Sequence, residues 1–182
     1  LSMVLIFNQS AFAKLSAEDR KLARKAESHY EFSEYDEALP IFLKLLQNNP
    51  ENATFCYHTG ICYYYSPTSR PLSVPFFERA LKLQGMEKKA DLYLHAGLAY
   101  LSVNRFADAS SCFRLFRSKA DASYDPTVAD RFIACAENGL KAWANPSRAR
   151  IRNLGKNVNS PYPDYAPVLT QDETRLLFTS KR

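Results

Sequence analysis

The sequence predicts an all-α solenoid of about three helix pairs plus a capping helix, followed by a C-terminal β-hairpin. Three observations carry that expectation. Small residues recur at a fixed spacing on helical faces, and an aromatic follows each second one at one helical turn. One further amphipathic stretch follows without a partner helix. After Pro146 the pattern changes from helical spacing to a polar loop and then to period-2 alternation.

The elements follow in order. Residues 1–13, LSMVLIFNQSAFA, are an apolar run ending in Ala11-Phe12-Ala13. That small-x-small ending reads as a signal-peptide remnant cut before Lys14; the alternative is an apolar first helix. The run is too short to span a membrane, and no cysteine follows it as a lipid acceptor.

Residues 14–146 read as a repeat domain with units at 19–52, 53–87 and about 90–123. Ala26 and Ala38 lie 12 residues apart, as do Gly97 and Ala109; Gly60 and Ser73 lie 13 apart, so the second unit carries one inserted residue. Phe42, Phe77 and Phe113 each follow four residues after the second small residue. Tyr63 and Tyr100 follow three residues after Gly60 and Gly97. Two helices approach closely only where a side chain is small, and an aromatic one turn away fills the adjoining gap. Ser33 and Ser73 are expected to cap the second helices, and Pro40 to kink one.

Residues 127–144 form one more amphipathic helix, with Phe132, Ile133, Ala136, Leu140 and Trp143 placed to cover the last core face. Residues 147–160 read as a linker rich in Gly, Asn, Ser and Pro. Residues 161–182 hold two extended runs, DYAPVL and RLLFTS, around TQDET. They read as a hairpin with Asp172 in the turn. A lone hairpin is marginal in water, so it is expected to lack its proper core.

The units resemble the tetratricopeptide repeat, with its helix–turn–helix period of about 34 residues. The tail resembles a WD-like propeller repeat of the Tol-periplasmic type, carried by Pro167, Asp172, Leu176, Phe178, Ser180 and Arg182. Together they resemble OmpA-like, peptidoglycan-associated envelope proteins, some of which serve type IX secretion. That resemblance implies the first half-blade of a β-propeller. It also implies a periplasmic, outer-membrane-associated setting among envelope proteins. Peptidoglycan would be reached only through a domain not in this chain.

The net charge is +5, and its excess sits late: residues 141–182 hold 8 of the 24 Lys/Arg but 3 of the 19 Asp/Glu. Arg148, Arg150, Arg152 and Lys156 form a basic run. No aromatic stacking set or recognition helix accompanies it, so a solvated linker is expected rather than a nucleic-acid site. Cys56, Cys62, Cys112 and Cys135 form no C-x-x-C, and the three histidines are scattered, so no metal site is expected. A Cys112–Cys135 disulfide suits an exported chain, while buried free thiols are the commoner case.

No catalytic constellation is present: there is no G-x-S-x-G, no H-E-x-x-H and no phosphate-binding loop among five glycines. Neither an enzyme nor a cofactor is expected, and His29 reads as structural. What remains is a protein or peptide ligand in a groove lined by the first helix of each pair. The groove residues are Arg20, Glu27, Tyr30 and Glu31; Tyr57, Ile61, Tyr64 and Tyr65; and Asp91, Leu94, Leu98 and Leu101. Tyr57, Tyr64 and Tyr65 are the strongest contacts expected. The Lys/Asn clamp of chaperone-binding repeat proteins is missing, so an apolar segment fits better than an acidic tail. The expected function is a non-enzymatic scaffold. The alternatives are a module of a propeller-containing serine peptidase and a cytosolic repeat adaptor.

Overall fold

The computed structural model describes residues 15–86, 88–148, 150, 152–156 and 158–181. The signal-peptide reading of residues 1–13 and the motif position Arg182 lie outside them. Seven α-helices occur among the described residues: α1 (Ala17–Glu31), α2 (Tyr35–Asn48), α3 (Ala53–Tyr65), α4 (Ser73–Lys82), α5 (Ala90–Ser102), α6 (Phe106–Lys119) and α7 (Pro126–Ala144). A 3-10 turn, Arg70–Leu72, precedes α4, and strands β1 (Asp164–Leu169) and β2 (Leu176–Ser180) close the chain. Chain contacts divide after Asn145 into a helical unit and a second unit.

In the helical unit each helix packs on the next in sequence. Glycine sets the approach within two pairs. A Cβ on Gly60 would stand 2.9 Å from Phe77 Cε1, and one on Gly97 would stand 2.5 Å from Phe113 Cε1. Ala26, Ala38, Phe42, Ala109 and Phe113 are fully buried, and Phe77 nearly so. Gly139 makes a third such approach, against Phe106, joining α7 to α6. Tyr63 is half-buried and stacks on Phe76 at 5.4 Å.

The turns within the first and third units share one geometry without glycine. After α1, the Ser33 N–H donates to Tyr30 C=O and the Glu34 N–H to His29 C=O, each at 2.9 Å. After α5, Asn104 N–H donates to Leu101 C=O and Arg105 N–H to Tyr100 C=O. Ser33 and Asn104 take the left-handed conformation, φ 61° and 60°, that this closure requires. Ser33 therefore ends a helix turn rather than capping the next helix, whose N-cap is Glu34. Ser73 likewise is the first residue of α4, and its hydroxyl donates to Arg70 C=O. Pro40 lies inside α2, which runs through it.

The capping surface of α7 is narrower than expected. Ile133 and Ala136 are buried and Phe132 stacks on Phe113 at 5.0 Å, but Leu140 and Trp143 stand 41% and 70% exposed. Trp143 touches Phe106 edge-on at the start of α6.

Asp19 fastens the first pair and was not singled out by pattern. It is buried in the first turn of α1, where Ser16 accepts its backbone N–H. Its carboxylate accepts from Asn48 Nδ2 at 3.0 Å and Asn49 Nδ2 at 3.1 Å, at the end of α2.

The second unit is a two-stranded antiparallel hairpin, with Val168 opposite Leu177 and Leu169 opposite Leu176. Between Tyr165 and Val168 the register shifts: Ala166 (φ 53°) and Pro167 oppose one residue of β2. Pro167 has no N–H to lose there. Asp172 organises the turn, accepting from the hydroxyls of Thr170 and Thr174 and from the Thr174 N–H. Leu176, Phe178 and Ser180 share one face and are half-buried; β1 is exposed throughout.

Two outcomes follow from this packing. Gly97→Ala gains up to about 1 kcal/mol of helix propensity, but the added methyl meets a buried, stacked ring. Overpacking of that kind costs about 1–3 kcal/mol, so thermal denaturation should show a net loss, with Gly60→Ala nearer neutral. For Asp19, the Asn48 and then the Asn49 amide hold the carboxyl below its ordinary value. A depressed carboxyl stabilises the fold above its unfolded value and loses that contribution as pH falls through the lowered one. Below about pH 4 the wild type should therefore lose an increment of melting temperature that Asp19→Asn does not.

Candidate protein-binding face

The first helices of the pairs, α1, α3 and α5, form the inner face expected of stacked repeats. Its floor is a chain of polar contacts. His58 Nδ1 donates to Glu27 Oε1 at 3.0 Å, and its ring stacks on Tyr30 at 4.2 Å between centroids. The Tyr57 ring meets the His58 ring at 5.4 Å between centroids, and its hydroxyl lies 3.1 Å from His95 Nδ1. His95 Nδ1 also lies 2.8 Å from the Asp91 carbonyl. A carbonyl only accepts, so Nδ1 carries the proton and the Tyr57 oxygen shares it. Finally the Tyr124 hydroxyl donates to Asp91 Oδ1 at 2.5 Å, reaching the segment before α7.

Burial dominates the acid–base character of this row. It pushes the Tyr57 and Tyr30 hydroxyls far above their ordinary value. Burial and the Asp91 bond raise Tyr124 to about 12. Burial lowers His95, with the Asp91 carbonyl opposing it. The tyrosines thus keep their protons and His95 stays neutral, so the contacts that bridge the helices are uncharged apart from the carboxylates.

Above that floor the expected groove residues separate. Tyr57 and Ile61 are buried, 7% and 1% exposed, so they belong to the core and are not contacts. The reason is spacing: they lie three residues before and one after Gly60, on the side where α3 meets its neighbours. Tyr30 is half-buried in the row. Leu94, Leu98 and Leu101 are half-buried and pack on the core while showing an edge to solvent. Tyr64 is half-buried beneath the Arg70 guanidinium, 4.9 Å from its ring. Tyr65 is 47% exposed and stacks on Tyr35 at 4.9 Å. Glu27 and Asp91 are engaged in the row, whereas Arg20 and Glu31 are exposed. Tyr100 is buried, with Arg105 over its ring, and burial raises it to about 12.

The histidines were legible after all. His58 and His95 each precede the repeat glycine by two residues, so they hold one position in successive units. His29 instead pairs with Glu34 at 2.6 Å. All four cysteines are free, three of them buried and Cys135 exposed. Among the described residues no His/Cys/Asp/Glu group could hold a metal, and no helix is long and apolar enough to cross a membrane.

No family model matches the sequence, and no curated protein matches it. Solved structures do resemble it in fold, and they are tetratricopeptide-repeat proteins. The TPR domain of Sgt2 from Aspergillus fumigatus covers 77% of this chain with 92% of its own, at 14% identity and a TM-score of 0.54. SycD, the type III secretion chaperone of Yersinia enterocolitica, in complex with a peptide of the translocator YopD, covers 68% with 95% of its own, at 16% and 0.56. The TPR2B domain of yeast Sti1, in a complex with a pHsp70 ligand, covers 68% with 98% of its own, at 14% and 0.56. The helical unit is thus a TPR-like α-solenoid, followed by a two-stranded hairpin.

A test of the row follows from His95. A histidine held below its ordinary value stabilises the fold while neutral and loses that contribution as pH falls below about 6.5. His95→Gln should therefore show a smaller drop in melting temperature than the wild type between about pH 8 and pH 5. Parallel curves would remove His95 from the account.

Proposed function

We propose that this chain is a non-enzymatic scaffold that holds an apolar protein segment on its inner face. The observation that carries the reading is the row Leu94, Leu98 and Leu101, half-buried on α5 beside a polar floor that is already satisfied. A segment laid there meets apolar edges and finds few unpaired polar groups to satisfy. Support comes from similar folds: SycD has been seen with a YopD peptide, and PcrH with the chaperone-binding region of PopD. The envelope setting and the propeller continuation rest on the resemblance of residues 160–182 and on the apolar run 1–13. A cytosolic adaptor accounts for the inner face equally well. Mass spectrometry of the mature protein separates them, since an N-terminus at Lys14 belongs to the exported form alone.

The groove is tested by selecting peptides from a random library on the full chain. Selected peptides should be rich in apolar residues and lose roughly tenfold in affinity on Leu94→Ala/Leu98→Ala. Melting temperature controls for folding, and a photo-crosslinker at position 98 should capture the peptide in the otherwise wild-type chain. Selected peptides that ignore both changes would sink the reading.

A further inference from the structure

The apolar side chains left in water are not scattered over the helical unit. Among its described residues, the exposed large hydrophobics are Phe32, Tyr65, Leu72, Leu115, Leu140 and Trp143. All but Leu115 sit at one edge of the array, where α1, α3 and α7 end or α4 begins. This is the edge of the turns within units, not the inner face.

Across the first two units that edge is aromatic and rigid. Tyr35, the first residue of α2, stacks on Tyr65, the last of α3, with planes 11° apart. Tyr64 meets Tyr65 edge-on at 5.3 Å. Phe32 stands 75% exposed on the turn whose two closing bonds were described above. A hydrogen-bonded turn holding a phenyl ring in water, beside stacked tyrosines, has the character of interface anchors: aromatic rings offer large contact area with few torsions to fix.

Charge selects the occupant. No Lys or Arg lies between Lys25 and Lys44, while Glu27, Glu31, Glu34, Asp36 and Glu37 do. The last four are exposed. The nearest base across the edge, Arg70, is tied to the Tyr64 carbonyl at 2.9 Å and lies over that ring. This part of a chain with a net charge of +5 is therefore acidic and aromatic at once. An anionic lipid surface or nucleic acid would be repelled here.

We propose that the turn edge formed by Phe32, Tyr35, Tyr65 and Leu72 docks a protein segment carrying Lys or Arg beside apolar side chains. The cations meet Glu31, Glu37 and the exposed part of Tyr65; the apolar side chains cover Phe32 and Leu72. This surface takes Glu31 and Tyr65 from the expected groove set but none of the α5 leucines that carry the proposed function, so either can fail alone.

The test uses the full chain and two labelled amphipathic peptides, one of leucine and lysine and one of leucine and glutamate, read by fluorescence anisotropy. The leucine–lysine peptide should bind and weaken with added salt. Phe32→Ala and the paired Glu31→Gln/Glu37→Gln should each weaken it by roughly tenfold at unchanged melting temperature. The proposal is overturned if the glutamate peptide binds as well, or if both variants bind like wild type. It is equally overturned if Leu94→Ala/Leu98→Ala abolishes binding while Phe32→Ala does not, which would send the peptide to the inner face. Co-sedimentation of the chain itself with phosphatidylserine vesicles in the absence of peptide, lost in Phe32→Ala, would also overturn it.

Discussion

The contact between a glycine on a first helix and a phenylalanine on its partner is the constraint on which the array rests. At Gly97 there is no room for a methyl group before the Phe113 ring, and Phe113 cannot retreat because Phe132 lies on its other face. Helix spacing within the pair is thereby fixed by volume. Once the pair is set, the ring also fixes where the next helix, α7, comes to lie. Gly139 against Phe106 repeats the device one helix later, which is why an unpaired last helix still seats firmly along part of its length. Packing of this sort sets distance well and direction poorly.

Direction between units is supplied by hydrogen bonds. Glu27–His58 joins α1 to α3, Tyr57–His95 joins α3 to α5, and Asp91–Tyr124 joins α5 to the segment before α7. Each bond is angular, and each lies where water is scarce, so a change in the angle between units breaks bonds that are expensive to leave unmade. The same row explains the polarity of the inner face. Its donors and acceptors are spent on one another, which leaves the leucines of α5 as the open chemistry.

The helix pairs were legible because packing leaves a periodic trace: Ala26/Ala38, Gly60/Phe77 and Gly97/Phe113 can be found by spacing alone. The hairpin was legible because its period differs. Exposure within a helix was not. Tyr57 and Ile61 sit on helical faces that look open from spacing, yet α3 is flanked by helices on several sides and buries nine of its thirteen residues. A central helix has no free face to assign from one sequence. Asp19 was missed for another reason: its partners, Asn48 and Asn49, lie 29 and 30 residues away, and nothing local announces a carboxylate that closes a helix pair. Trp143 was placed in the cap because amphipathic spacing says which side faces the core, but not how far along the helix the core extends.

That last distinction bears on why this scaffold has two chemically different surfaces. Repeats make an inner face by stacking, and its character follows from residues at equivalent positions in every unit, such as His58 and His95. The turn edge is freed from that rule. Its residues end or begin helices, where the backbone closes on itself through Ser33 or Asn104 with different side chains around the same two bonds. In the third unit the residue before Asn104 is Val103, half-buried against the core, and the one after it is Arg105, bound to Glu78 and Asp108. The first unit uses the same turn to hold Phe32 in water among carboxylates. Since the backbone geometry is shared, the difference between the two turns is not a folding requirement. Phe32 stands 75% exposed at the position where the third unit packs Val103 on the core, so its ring calls for an explanation in what the edge touches.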